Sequence, residues 1–243
     1  HLPASQLVWD YMRASRAHYC EQHSEFEDIY SQICQRAPES IAKCLLEADR
    51  LTTNLGYIEA NKHLLSQIPN DHPDFFKPWG WLYKIDLLMA EVNLLGLLKP
   101  QLALKYVLDA YTIAKNNDFL PRVVTTLEQQ IWIYDWLGEH LKKEEAFVLY
   151  KAAVNASHSI SFINTYRWVR AFSLARQGLY FRALKLLEMG EGGGKTDAIA
   201  LSHDTSLRHI LKMQIHVIIG QYSAYKRTFE LQQKFVHNRK SRG

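Results

Sequence analysis

Gly178-Leu179-Tyr180-Phe181-Arg182-Ala183-Leu184-Lys185-Leu186-Leu187 contains the phrase that decides the fold. A glycine, an aromatic residue two places on, a small residue after three more and a large apolar residue four beyond that make one helical face directly behind a turn. The phrase returns as Gly220-x-Tyr222-x-x-Tyr225-x-x-x-Phe229 and as Tyr57-x-x-Ala60-x-x-x-Leu64. Its core persists in Ala103-x-x-x-Val107-x-x-Ala110 and Ala146-x-x-x-Tyr150-x-x-Ala153, preceded by Leu95-Gly96 and Leu137-Gly138. The anchors at 60, 103, 146, 183 and 225 stand 43, 43, 37 and 42 residues apart. A period in this range marks stacked helical units.

Outward from these copies, helical periodicity runs through nearly the whole chain. Ser24-x-x-Glu27 has the form of a capping box and introduces Phe26, Ile29, Tyr30 and Ile33. Pro38 opens a stripe of Ile41, Cys44, Leu45, Ala48 and Leu51, and comparable stripes follow at Ile85-Met89-Val92 and Leu127-Ile131-Tyr134. The β-branched run Ile215-Val217-Ile218-Ile219 lies inside a longer helical pattern and reads as buried helix. The expectation is an all-α chain of about a dozen helices. With 11 glycines and 7 prolines in 243 residues, turn-rich sandwiches and barrels are disfavoured.

Composition narrows the class further. The chain is 47% hydrophobic and 22% charged, so it can bury a core and is not a disordered tail. No window approaches eighteen consecutive apolar residues, and with Asp10, Arg13 and Arg16 among the first twenty the expectation is neither a membrane span nor a secretory signal. Cys20, Cys34 and Cys44 are odd in number and lack C-x-x-C spacing, which points to a reduced, cytoplasmic setting. The net charge is +4, but residues 226–243 carry six Lys and Arg against Glu230, leaving the rest nearly neutral. Opening at His1 without methionine, the chain reads as a segment of a longer protein.

At the repeated residues the sequence resembles the tetratricopeptide family, over about residues 38–240. The resemblance implies a right-handed α-solenoid of about five helix pairs, with residues 1–37 as a helical N-terminal cap. A glycine lets the chain turn between antiparallel helices, and a small residue lets the second helix approach the first. The period exceeds the family's usual length, which favours the long-repeat type found in bacterial signalling and transcription regulators. The last helix is similar to the terminal repeat of sensors that precede a cyclase, kinase or DNA-binding domain.

The chemistry-bearing motifs point away from catalysis. Gly190-Glu191-Gly192-Gly193-Gly194-Lys195-Thr196 has Met189 where a phosphate loop needs its first glycine, and no strand precedes it. It reads as a helix stop with a connector. Eleven histidines include no pair with zinc-enzyme spacing, and no nucleophile signature is present. The expectation is therefore no catalytic residue, no metal and no cofactor.

What the resemblance adds is a ligand-facing groove. The positions one step off the buried triplets of successive first helices are Tyr83, Asp86 and Asn93, then Glu128, Trp132, Asp135 and Trp136, then Trp168, Phe172 and Arg176. Trp132 and Trp136 lie one turn apart and make an aromatic wall suited to a protein, peptide or small effector. The lysine-rich clamp by which co-chaperone repeats hold a C-terminal carboxylate is missing. The function expected is a recognition module, the sensory or interaction part of a regulator, compatible with a homodimer. The alternative is nucleic-acid binding through the basic end, weakly and by way of Lys234, Arg239, Lys240 and Arg242.

Overall fold

A computed structural model describes residues 4–19, 22–96, 98–189 and 202–240, and these are all helix, turn or short connection without a strand. The elements are α1 (Ala4–Tyr19), α2 (His23–Arg36), α3 (Ile41–Gln67), a 3-10 turn (Pro73–Phe76), α4 (Gly80–Leu95), α5 (Pro100–Asn116), α6 (Leu120–Leu137), α7 (His140–Ser157), α8 (Ile160–Arg176), α9 (Tyr180–Glu188), α10 (Ser202–Ile218) and α11 (Tyr222–Lys240). The strand-like run through Ile218 is part of α10. The glycine-rich segment 190–196 and Arg242 lie outside the described residues, as do the side chains of Arg239 and Lys240. No helix among the described residues is long and apolar enough to cross a membrane.

Helix, glycine, helix is the recurring local pattern. Gly56, Gly138, Gly178 and Gly220 all take φ between 72° and 77°, the left-handed region that a side chain resists. At Gly138 the turn closes with Glu139 N–H donating to Tyr134 O at 2.9 Å, and Leu179 repeats this bond to Leu174 O at 2.9 Å. Gly56, with ψ 164°, divides α3 into two helical halves, so the first copy of the repeat has its own turn. The small anchors of the second helices are shut from solvent: Ala60, Ala103 and Ala183 are fully buried, and Ala146 is 4% exposed. The first-helix stripes turn inward too, with Ile85, Leu127 and Ile131 all buried.

Two helix starts differ from the sequence expectation. The Ser24-Glu27 box does not form: α2 begins at His23, its cap Gln22 makes no side-chain bond, and Glu27 pairs instead with Arg50 at 2.9 Å. Pro38 does not open α3. Ser40 is the cap, accepting from Lys43 N–H, while Asp74 Oδ2 accepts from Ile41 N–H at 2.9 Å. Asp74 is 3% exposed, so a carboxylate from the 3-10 turn supplies the negative charge that the positive end of α3 favours. Gly80 follows directly, because a Cβ there would collide with the Phe75 carbonyl.

The chain divides into two compact units, residues 1–153 and 154–243. In the first, Leu7, Tyr11 and Ala14 of α1 join Phe26, Ile33, Ile41, Leu46, Leu64 and Leu82 in one core, and Val92, Ala103, Val107 and Ile133 form another between α4, α5 and α6. In the second, Ala171, Leu174, Ala183, Leu187, Leu211 and Ile215 knit α8, α9 and α10 together.

Candidate functional site

The site is built where one copy of the repeat departs from the others. Leu95-Gly96 looks in sequence like Leu137-Gly138, yet Gly96 keeps helical angles (φ −48°) and donates its N–H to Val92 O at 2.8 Å. The chain turns only afterwards, with Leu98 and Lys99 N–H both donating to Leu95 O before Pro100 opens α5. A glycine freed from the turn leaves a gap on the flank of α4. From α6, Trp136 fills part of it: a Cβ on Gly96 would stand 3.3 Å from Trp136 Cζ3.

The remainder is a hollow of about 170 Å³, lined by Val92, Asn93 and Gly96 of the α4 end and by Gln129, Trp132, Ile133 and Trp136 of α6. Val92 and Ile133 form its apolar floor, 2% and 1% exposed. Trp136 remains 44% exposed, so its ring is reachable from solvent. Asn93 and Gln129 place carboxamides among the lining residues, and no charged side chain lines the hollow. Such a lining accepts an uncharged group of about one large side chain, with amides able both to donate and to accept.

Three of the residues expected to share a groove, Asn93, Trp132 and Trp136, therefore meet at one hollow. The others in the first unit have different surroundings. Asp135 points to Lys143, a buried pair at 2.7 Å with side chains 9% and 2% exposed. Glu128 accepts from Tyr150 OH at 3.4 Å. Tyr83 is 2% exposed, its hydroxyl has no hydrogen-bond partner among the described residues, and burial followed by the charges of Asp74 and Asp86 raises its pKa. In the second unit Trp168 and Phe172 pack against the core of α8, α9 and α10 with ring centroids 6.1 Å apart, and Arg176 is exposed.

Asp86 belongs to a separate polar cluster that the sequence did not reveal. Its two oxygens accept from Tyr11 OH at 2.6 Å and pair with Arg122 at 2.6 Å, tying α1, α4 and α6 together. Desolvation, then Asp86, holds Tyr11 well above its ordinary pKa, whereas at Arg122 the cost of burial is outweighed by the carboxylates and its pKa is raised. Asp49 of α3 stands within electrostatic reach, and burial, reinforced by Asp86, lifts its carboxyl to about 7. A wider depression of about 640 Å³ at the start of α2 is lined by Arg13, Glu25 and Asp28, but Arg13 and Glu25 already satisfy each other at 3.1 Å.

Among the described residues no group of three His, Cys, Asp or Glu side chains is placed to hold a metal ion. No protein-family model, curated protein or solved structure matches the chain.

Proposed function

We propose that the chain is a non-catalytic recognition module of tetratricopeptide type, reading a peptide or small effector through the hollow walled by Trp132 and Trp136. Four helix pairs that turn at a left-handed glycine, α3 divided at Gly56, α6 with α7, α8 with α9 and α10 with α11, support the repeat reading together with α4 and α5, whose turn follows Gly96, and α1 with α2 is read as the cap. The hollow carries the functional part: it is apolar at the floor, amide-bearing, uncharged and open to solvent beside Trp136. An accessible indole at the rim of a small pocket is the kind of anchor that dominates recognition energetics. A partner inserts one apolar or aromatic side chain there, and the two amides take up its backbone. The role as the input segment of a cytoplasmic regulator rests on the same reading.

Peptides selected from a random library on the 243-residue chain test it. Trp132→Ala and Trp136→Ala are expected to weaken the selected peptides at least tenfold, with Trp136→Ala shifting the melting temperature little. Gly96→Leu, which plugs the hollow from α4, should do the same. Peptides that bind all three variants as they bind the parent chain overturn the proposal.

A further inference from the structure

We infer that exposed basic and aromatic side chains of α9 and α11, two helices of the 154–243 unit that each pack on α10, bind single-stranded nucleic acid without reading its sequence. The first observation is a charge division that coincides with the fold boundary. Residues 154–243 contain 14 Lys and Arg against five Asp and Glu, a net of +9, whereas residues 1–153 contain 15 against 20, a net of −5. Eight of those 14 cations precede residue 226, so the basicity extends well beyond the last helix. Among the described side chains of this unit the carboxylates are Glu188 and Glu230, and Arg182, Lys185, Lys226, Arg227 and Lys234 are exposed and make no ion pair with a described residue.

The second observation is what stands among those cations. Phe181 is 70% exposed, beside Arg182 in sequence and one turn from Lys185. Tyr222 is 69% exposed, one turn ahead of Lys226, and Tyr225 and Phe229 stack at 6.1 Å with Phe229 itself 40% exposed. Ring and ammonium or guanidinium one turn apart lie side by side on a helix. Bases stack on such rings while phosphates meet the adjacent cations, and every base offers a π-face, which makes the contact indifferent to sequence. A bilayer suits the surface less well, because Lys226 stands within the Tyr222, Tyr225, Phe229 stripe rather than on an opposite polar face. An acidic protein would use the cations but leave the ring faces idle.

Fluorescence anisotropy of the whole chain with a labelled oligothymidylate of about twelve nucleotides tests the proposal, against polyglutamate and phosphatidylserine vesicles as competitors. With five cations neutralised, affinity should fall about a hundredfold between about 50 and 200 mM salt. Phe181→Ala and Tyr222→Ala should each weaken binding at least threefold with the salt slope unchanged. Arg182→Gln with Lys185→Gln should reduce that slope by about 1.4. All four positions are exposed, and circular dichroism checks that the variants remain helical. Absence of binding at low salt, binding that ignores these substitutions, or equal competition by polyglutamate or by vesicles would each overturn the assignment.

Discussion

Asp49 shows how one residue records its surroundings. Its carboxyl is raised to about 7 by burial and by Asp86, with Arg122 opposing. In the folded unit the proton is therefore held up to about pH 7, whereas the unfolded chain releases it near pH 4. Stability drawn from this group is complete below about pH 4 and drains away as the pH climbs to about 7. Chemical denaturation between pH 4.5 and 8 should show the parent chain losing on the order of 2–4 kcal/mol from this source, and Asp49→Asn losing clearly less. Identical pH slopes in the two proteins would mean that Asp49 is solvated like any surface carboxylate. Gly96 makes the complementary point, since the same Leu-Gly letters give a left-handed turn at Gly138 and a helical residue at Gly96.

At the level of elements, helices are legible because their apolar residues recur every three to four places, and small residues mark where two of them approach closely. Of the five anchors that the spacing picks out, Ala60, Ala103, Ala146 and Ala183 are buried, whereas Tyr225 is only half-buried. Ala146→Leu should overpack the face of α7 and cost about 1–3 kcal/mol, whereas Ala152→Leu, on the exposed side of the same helix, should cost almost nothing. Equal effects at both positions in a urea titration would mean that the phase of α7 is misread. The caps were less readable. A box drawn at Ser24 and Glu27 competes with a long-range pair, Glu27 with Arg50, and the start of α3 is finished by Asp74 from 33 residues away. Local sequence contains neither partner. Charge on the first helices was misjudged for the same reason: Asp86 and Asp135 have the phase of a groove, but Arg122 and Lys143 arrive from other helices to bury them.

For the whole molecule, the boundary at residue 153 reorganises the charge that composition alone assigned to a tail. Residues 1–153 are net acidic and residues 154–243 net basic, and each unit is proposed to have its own partner. Helical class is legible because it is summed over many residues, while the hollow depends on one glycine staying helical, which no window of sequence displays. The central claim is that Trp132 and Trp136 form a docking hollow, and the chain holds six tryptophans in all, which makes them separable reporters. The most direct measurement is the nitrogen-15 spectrum of the indole N–H groups during titration with a library-selected peptide. The signals of Trp132 and Trp136 should move together and saturate at the affinity measured by other means, while Trp9, Trp79, Trp81 and Trp168 stay in place. A peptide that binds while those two signals stand still, or that shifts Trp168 in their stead, would contradict the account.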